Sequence, residues 1–334
     1  MSSLLGALRK VLFAPSLASV GFEGRGFGVP PTPATARLES IPQSVVCGFE
    51  WGIDAPALWE AERRLDMVEP ELRGFAYEGA AMAFTILDVM PGGRKDRTAE
   101  LMSGPGLPHV FLTYIGIGFA MARLPRPLWK KVLPELDGVP FHPTMSWLAV
   151  DGYAFDRAYF DTDKWVGEQF VPKPYPWAGA PAYFPRACDQ GIGRALWFIN
   201  GGDPVKVAEA VNRFPAGRRP DLWSGVGLAS TFAGGCDQAG LERLREAAGS
   251  TGEHQDELGL GVVFAVKART FSSFVPRHTH LAARTLAGLS IEEAVDLADS
   301  TEVTEDAADG TPAYELWRQN IREGLAPSVG RLAA

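Results

Sequence analysis

Apolar residues along most of this chain recur every three or four positions, the spacing that places them on one face of an α-helix. The segment 55–66 follows this spacing directly after Asp54, a residue type that caps helices, and is therefore predicted to be helical. Strand-like alternation is scarce, and residues 258–266 are the main run whose type stays ambiguous. The pattern predicts an all-α protein.

Three later segments carry signals for the start of a helix. An Asp-Pro pair precedes residues 205–214, and a Ser-x-x-Glu capping box opens residues 291–298. A Thr-Pro pair begins a last helix that runs through residues 317–323. These signals support the helical interpretation of the C-terminal half.

The N-terminal part of the chain has a different composition. Residues 23–43 are rich in glycine and proline, which predicts an irregular arm over residues 1–43 before a single helical domain over residues 44–325. The apolar run near the N-terminus is too short for a secretory signal peptide. Residues 110–122 are apolar but fall short of the roughly 20 residues that span a bilayer, so we interpret them as a buried helix of a soluble protein.

Two short motifs recur along the chain at nearly the same spacing. Residues 73–80, RGFAYEGA, align with residues 151–158, DGYAFDRA, at an offset of 78 residues. The tripeptide GIG at 116–118 recurs at 191–193, an offset of 75, and GVG at 225–227 is a third copy of the glycine pair. Glycine lets two helices approach closely, so we interpret these pairs as packing residues.

These motifs predict an internal pseudo-repeat with copies at about residues 73–130 and 151–214. Repeated helix pairs of this kind stack into a helical bundle or a short α-solenoid, here around an apolar cavity. Chance similarity in a sequence rich in glycine and alanine is the alternative.

Composition narrows the class of function. The chain has 334 residues and a net charge of −8, which argues against a nucleic-acid or anionic-membrane surface. Its three cysteines, Cys47, Cys188 and Cys236, are far apart in sequence, as is typical of buried thiols in a reducing compartment. We expect a cytoplasmic protein without a membrane span.

Acids next to aromatic residues are the main chemical signal. Residues 153–184 contain ten of the 35 aromatic residues, so carboxyl groups there lie in poorly hydrated surroundings that favour the protonated acid. Glu78 and Asp156 occupy equivalent positions of the two longer motifs and are candidate catalytic acids. A structural salt bridge, for example with Arg73 or Arg157, is the alternative.

The triplet Asp161-Thr-Asp163 is a second candidate for a catalytic acid. Two neighbouring carboxylates raise the pKa of one of them, which makes it a general acid. The same triplet is common on solvated turns, and the adjacent Lys164 fits that alternative. No aspartate-rich motif for a magnesium cluster accompanies the triplet.

Candidate substrate-binding residues are the aromatics near these acids, because aromatic rings stabilise cations. They are Tyr153, Phe155, Tyr159, Trp165, Trp197 and Trp223, together with Arg194. If Arg194 faces inward, it requires a buried acid such as Asp156 or Asp203.

Histidine and glycine motifs do not indicate a cofactor. His278 and His280 are two residues apart on a helix, where their side chains diverge, so a capping or surface role is expected rather than a metal site. The glycine pairs lack the preceding strand and the following acid of a dinucleotide-binding fingerprint. We expect no metal and no cofactor.

Several longer segments together resemble the UnbL-like family, also called DUF1702, of actinobacterial natural-product clusters, including those for enediynes. They are RGFAYEGAAMA at 73–83, GIGRALWF at 191–198, RRPDLWSGVGLASTFAGG at 218–235 and HTHLAARTLAGLSIEEA at 278–294. The resemblance covers roughly residues 40–300. It implies a cytoplasmic role in secondary metabolism on a long, apolar, unsaturated chain, and it brings no established mechanism or catalytic residues.

The leading hypothesis is an enzyme that cyclises or isomerises a polyene or isoprenoid chain. One of Asp156, Asp161, Asp163 and Glu78 protonates an alkene, and the aromatic residues shield the cation. Maturation of an enediyne polyketide precursor is an alternative, as is a non-catalytic protein that holds a hydrophobic intermediate or partner biosynthetic enzymes. The sequence leaves open whether the chain forms a homodimer.

Overall fold

The computed structural model describes residues 16–92, 94–250 and 254–332 of the chain. Within these ranges every regular element is helical and none is a strand, so the all-α prediction is confirmed. The ambiguous run 258–266 lies inside a helix, Gln255–Phe271.

Contacts between residues divide the chain into two compact units. The N-unit comprises Met1–Gly28 and Glu39–Asp156, and the C-unit comprises Val29–Leu38 and Arg157–Ala334. The helices that begin between residues 16 and 160 of the described ranges are α1 (Leu17–Val20), α2 (Phe22–Arg25), α3 (Pro33–Asp54), α4 (Leu58–Leu65), α5 (Pro70–Val89), α6 (Arg97–Ser103), α7 (Val110–Arg123) and α8 (Trp147–Phe160).

The later helices belong to the C-unit. They are α9 (Phe184–Ile199), α10 (Pro204–Asn212), α11 (Arg219–Ala233), α12 (Gln238–Ser250), α13 (Gln255–Phe271), α14 (Arg277–Ala282), α15 (Ile291–Ser300) and α16 (Ala313–Leu332). Short 3-10 or π-helical turns occupy Leu107–His109, Arg126–Lys131, Thr144–Ser146, Asp163–Gly167, Trp177–Gly179, Ala216–Arg218 and Ala283–Ala287.

The predicted starts of the later helices are confirmed. The carboxylate of Asp203 caps α10 by accepting hydrogen bonds from the amides two and three residues later, at 3.0 and 3.3 Å. Ser290 and Glu293 form the predicted capping box of α15. The last helix, α16, begins directly after Pro312 and runs further than predicted.

Two helices of the N-terminal half begin elsewhere than predicted. Helix α3 begins at Pro33, inside the segment predicted to be irregular. Its start has a proper cap, because the hydroxyl of Thr32 accepts a hydrogen bond from a first-turn amide at 3.1 Å and proline suits the first helical position. Helix α4 begins at Leu58 rather than directly after Asp54, since Pro56 lacks an N–H and restricts the residue before it.

Glycines bring the long helices of the N-unit into backbone contact. A Cβ atom built on Gly116 of α7 would lie 2.0 Å from the carbonyl oxygen of Glu78 in α5. One built on Gly118 would lie 2.1 Å from the carbonyl oxygen of Ala149 in α8. Helices α3 and α5 meet through glycines in the same way. Only glycine fits such distances, so the glycines are packing residues, as predicted.

The C-unit uses the same device between α9, α11 and α13. A Cβ atom on Gly225 of α11 would lie 2.0 Å from the carbonyl oxygen of Gln190 in α9. One on Gly227 would lie 2.0 Å from the carbonyl oxygen of Leu258 in α13. Each unit therefore contains a central helix with a Gly-x-Gly pair whose two glycines contact different neighbouring helices.

The two sets of contacts are related by nearly the same shift in sequence. Gly225 and Gly227 lie 109 residues after Gly116 and Gly118, and Leu258, the partner of Gly227, lies 109 residues after Ala149. Gln190, the partner of Gly225, lies 112 residues after Glu78. By their contacts, the glycine pair at 116–118 therefore corresponds to the pair at 225–227, which the sequence analysis named as the third copy. The pseudo-repeat of 73–130 with 151–214 stays a prediction.

Helices α5 and α7 run in the same direction. Gly74 and Glu78 of α5 lie against Leu112 and Gly116 of α7 respectively, so positions along both helices increase together. The same holds for α9 and α11, because Asp189 bonds Arg218 at the start of α11 and Trp197 bonds the carbonyl of Gly234 at its end. The shorter helices α6 and α10 make the return connections. Alternation of parallel inner helices with shorter returning ones is typical of an α-solenoid.

Helix α7 is the most apolar element of the N-unit. Residues Val110–Met121 are all buried, which confirms the prediction of a buried helix. No single helix in the described ranges is long and apolar enough to cross a membrane. Arg97–Ser103 and Leu107–Arg123 reach the required length and composition only together, and they are bent by 91° relative to each other.

Candidate functional site

Two buried carboxyl groups lie at one level of the N-unit. Glu78 of α5 is 3% exposed and Asp151 of α8 is 2% exposed. The carbonyl of Glu78 lies against Gly116, and the carbonyl of Ile115 lies against Gly152. Because residues 115 and 116 are consecutive, α5 and α8 contact α7 at the same level. The two acids therefore lie on helices that flank α7 on either side.

Glu78 belongs to the face of α5 that is directed at α7. Gly74 and Ala81, which precede and follow it by four and three residues, both contact α7. Nδ1 of His109 lies 3.3 Å from the position that a Cβ atom on Gly74 would take, so this face also carries a polar group. The carboxyl group of Glu78 is shielded from water by its burial.

Asp156 forms an ion pair inside the N-unit. Its two carboxylate oxygens accept hydrogen bonds from Nη1 and Nη2 of Arg123 at 2.6 and 2.9 Å. This two-bond geometry links α7 to α8 and favours the ionised carboxylate. The salt bridge that we considered for Asp156 is therefore present, with Arg123 as partner rather than Arg157. An ionised, paired carboxylate is a poor proton donor.

The triplet Asp161-Thr-Asp163 lies at the surface of the C-unit. The Asp161 side chain is 41% exposed and lies 3.7 Å from Nη2 of Arg157, one helical turn earlier. Asp163 is also exposed, at the start of a π-helical turn. Water solvates both groups, so the geometry matches the alternative of a solvated turn. A catalytic role for either residue stays an untested prediction.

The predicted aromatic residues are divided between the two units. In the N-unit, Tyr153 packs edge-on against Trp129 at 4.7 Å between ring centroids, and Phe155 packs against Phe119 at 5.8 Å. These contacts join α8 to α7 and to the turn that follows α7. They are those of a packed core.

In the C-unit the predicted residues are also core residues. Tyr159 packs against Phe160, and Trp165 packs against Phe170. The indole N–H of Trp197 donates a hydrogen bond to the carbonyl of Gly234 at 2.8 Å. Trp223 is buried in α11, and Arg194 is buried in α9. Each of these aromatic residues thus has a structural role, and substrate binding by them stays a prediction.

A polar cluster that the sequence analysis did not predict lies inside the C-unit. Helix α9 contributes Arg186 and Gln190, and Tyr183 directly precedes that helix. Helix α11 contributes Asp221 and Ser224, and helix α16 contributes Tyr314, Glu315, Arg318 and Arg322. Arg318 lies at its centre and donates to Glu315 Oε2 at 3.1 Å, to Asp221 Oδ1 at 2.8 Å and to Ser224 Oγ at 3.2 Å. The cluster ties three helices together.

The arginines of this cluster hold Glu315 in the ionised form. Burial alone would raise the pKa of Glu315, but Arg318, Arg186 and Arg322 lower it to about 2. Burial also raises the pKa of Tyr183 well above its ordinary value, so its hydroxyl stays protonated and donates to Glu315 at 2.7 Å. Near neutral pH Glu315 therefore has no proton to transfer. We interpret the cluster as a structural clamp.

Asp189 of α9 is a buried acid of the C-unit whose pKa is raised toward the physiological range. Burial raises its pKa to about 6, although Arg218 opposes the shift with hydrogen bonds of 2.6 to 3.1 Å. Arg218 also donates to the carbonyl of Gln169 at 2.7 Å. The pair thus connects α9 to the irregular segment that precedes it.

The sequence indicates one part of the polar cluster around Arg318. Glu315, Arg318 and Arg322 follow one another at three and four residues, which places an acid and two bases on one face of the last helix. The partners Arg186 and Asp221 lie 94 or more residues before Glu315 in sequence. No local pattern indicates such long-range contacts.

Histidine has a capping role, as expected for His278. Its Nε2 lies 3.1 Å from the carbonyl oxygen of Phe232, near the end of α11, and Arg269 donates to the same oxygen at 2.5 Å. In the part of the chain that the structure describes, no three His, Cys, Asp or Glu side chains are grouped so that they could hold a metal ion.

These features define an all-α protein in which two helical units share one pattern of glycine-mediated helix contacts. A family model matches residues 4–325, and the chain belongs to that family, DUF1702, which is described as a family of proteins of unknown function. No curated protein and no solved structure matches the chain.

Proposed function

We propose that this protein is an enzyme of natural-product biosynthesis that cyclises or isomerises a long polyene or isoprenoid chain, with Glu78 and Asp151 as its acid pair. The observation that carries the proposal is the position of these two buried carboxyl groups on either side of α7, at one level of an apolar helix layer. Both groups are shielded from water, as a proton donor to an alkene must be.

The chemistry requires a strong acid and no other reagent. A proton adds to one alkene carbon, the neighbouring carbon becomes a cation, and a second double bond attacks that cation to form a carbon–carbon bond. Loss of a proton from an adjacent carbon then restores an alkene. The product is an isomer of the substrate, so the reaction needs no oxidant or reductant.

The other acids considered fit this role less well. Asp156 is ion-paired with Arg123, and Asp161 and Asp163 are solvated. A proton donor to an alkene must be shielded from water, since water would take the proton and quench the cation. Burial therefore favours Glu78 and Asp151 over Asp161 and Asp163, and the ion pair with Arg123 argues against Asp156.

The test compares Glu78→Gln and Asp151→Asn with the surface variant Asp163→Asn. Each purified protein is incubated with geranylgeraniol or with a linear conjugated polyene, and products are identified by mass spectrometry. We expect a loss of turnover of at least about 100-fold in the first two variants, the scale of general acid catalysis, and none in the third. Circular dichroism and the melting temperature verify that each variant is folded. Full turnover in folded E78Q and D151N contradicts the proposal.

A further inference from the structure

The outward face of helix α4 presents large apolar side chains to solvent. Ala61 and Leu65 of this helix are buried against the N-unit. Trp59 is 56% exposed, and Met67, just past the end of the helix, is 85% exposed. They are two of the five large apolar side chains that are exposed in the described ranges. Tryptophan, methionine and arginine are the residue types enriched where proteins contact each other.

Charged residues of both signs lie between these two apolar side chains. Glu60, Arg63 and Arg64 are at three- and four-residue spacing from Trp59 and Met67, so they belong to the same face. Across the ranges that the structure describes, none of these three forms an ion pair. Their charges are therefore available to a partner.

The other two acids of this segment lie at the side of the face, near Tyr77. Asp66 accepts a hydrogen bond from the Tyr77 hydroxyl at 3.3 Å. The charges of Asp66 and Glu62 both raise the pKa of that hydroxyl, so Glu62 lies near it too. These two acids border the face and are not counted among its central residues.

The order of residues along this face is complementary to its own reverse. A twofold axis perpendicular to α4 places the helix antiparallel to its copy, so that the start of one lies opposite the end of the other. One register then gives three matched contacts, each formed twice: Glu60 with Arg63, Trp59 with Arg64, and Pro56 with Met67. They are an ion pair, a cation over an aromatic ring, and an apolar contact.

The charges also disfavour the neighbouring register. If Trp59 lay opposite Met67 of a second copy, Arg63 would lie opposite Arg63 of that copy, and Glu60 would lie opposite Asp66. Like charges in contact repel each other, so this register is excluded. The face thus fits a second copy of this chain in one orientation and one register.

We propose that this protein forms a homodimer through the outward face of α4, with Glu60 of each copy paired with Arg63 of the other. One short helix gives a contact area at the small end of known interfaces, so the dimer is weak and forms at high protein concentration. The proposal does not depend on the proposed function, because association is measured without turnover.

Sedimentation velocity of the full chain at concentrations up to about 500 μM tests it, the range in which an interface of this size associates. Glu60→Arg and Arg63→Glu each place like charges in contact, so we expect each to weaken dimerisation at least about 10-fold. An equimolar mixture of E60R and R63E restores the opposite charges across the contact, and we expect it to dimerise as tightly as the natural protein.

Two further variants separate the face from the rest of the surface. Trp59→Ser changes no charge and is expected to weaken dimerisation about 10-fold, because it removes the largest apolar side chain of the contact. Val205→Ser is the matched control, since Val205 is 53% exposed on α10 and lies outside the face, and we expect it to change dimerisation less than about 2-fold. Circular dichroism and the melting temperature verify that each variant is folded.

Three results overturn the proposal. One is a natural protein that stays monomeric over the whole concentration range, which leaves the face to a different partner. Another is a dimer that folded E60R, R63E and Trp59→Ser form as tightly as the natural protein. The third is a mixture of E60R and R63E that associates no more tightly than either variant alone.

Discussion

Gly116 of α7 and Gly225 of α11 make the same contact in the two units of this protein, each directly against a carbonyl oxygen of a neighbouring parallel helix. A Cβ atom on either glycine would lie 2.0 Å from that oxygen. The oxygen belongs to Glu78 in one unit and to Gln190 in the other. The shared scaffold thus places a carboxylic acid at a position where its counterpart has an amide.

Substitution of Gly225 by alanine should destabilise the C-unit strongly. The new methyl group forces α9 and α11 apart by more than an ångström, because the obstacle is backbone that cannot rotate away. We expect the free energy of unfolding to fall by about 3 kcal/mol, the upper part of the range for overpacked cores. Urea denaturation measures it. Gly217→Ala is the control, since no atom lies within 4 Å of the position that its methyl group would take, and equal stability of the two variants would falsify the close contact.

The glycine pairs show how far the sequence predicts this fold. Their role in close packing and the starts of three helices followed from local spacing. The sequence did not predict that the glycine pair at 116–118 corresponds to the pair at 225–227, because a Gly-x-Gly motif does not reveal which glycine faces which neighbouring helix. Two glycines two residues apart point to different sides of a helix, and only contacts from other helices distinguish them.

The acid candidates show a second limit. Glu78 and Asp156 occupy the same place in two similar motifs, yet Asp156 is paired with Arg123, a residue 33 positions away. Asp161 and Asp163 lie beside aromatic residues in sequence but at the surface in the structure. Neighbours in sequence therefore did not predict burial here, since successive residues of a helix face different directions.

Arg318 should contribute more to stability than its neighbour Arg322. Arg318 is nearly fully buried and bonds both Asp221 and Glu315, whereas the Arg322 side chain is 21% exposed and bonds Glu315 alone. We expect Arg318→Met to lower the free energy of unfolding by about 3 kcal/mol, because two buried acids lose a partner. Arg322→Met should cost about 1 kcal/mol or less. Denaturant titration of both variants measures the difference, and a ranking in the opposite order contradicts the clamp.

Asp189 should make stability depend on pH. Burial raises its pKa in the folded protein to about 6 from an ordinary value of 3.8, so the folded state binds more protons than the unfolded state between these values. The contribution of this group to the free energy of unfolding is therefore full below pH 4 and is lost as the pH rises through 6. Asp189→Asn removes this dependence.

The measurement is the difference in unfolding free energy between the natural protein and D189N at pH 4 and pH 7. We expect it to shift in favour of the variant by up to about 3 kcal/mol as the pH rises, the equivalent of roughly two pKa units. A difference that does not change with pH, or that shifts in favour of the natural protein, contradicts a raised pKa of Asp189.

Asp161 and Asp163 should be replaceable. Both lie in water, and Asp161 has only an exposed ion pair with Arg157 at 3.7 Å. We expect Asp161→Asn and Asp163→Asn to change the free energy of unfolding by less than about 0.5 kcal/mol and to leave turnover unchanged. A loss of turnover in either variant without loss of stability would show that the Asp161-Thr-Asp163 triplet takes part in catalysis.

The central claim, that a buried acid of the N-unit protonates an alkene, is tested most directly by the isotope content of the product. The protein is equilibrated in deuterium oxide and incubated with a linear polyprenyl or polyene substrate, and the product is analysed by mass spectrometry. The proposed mechanism predicts one non-exchangeable deuterium per product molecule from the natural protein, and no product from folded E78Q. A cyclic product without deuterium, or undiminished formation of the deuterated product by E78Q and by D151N, would contradict it.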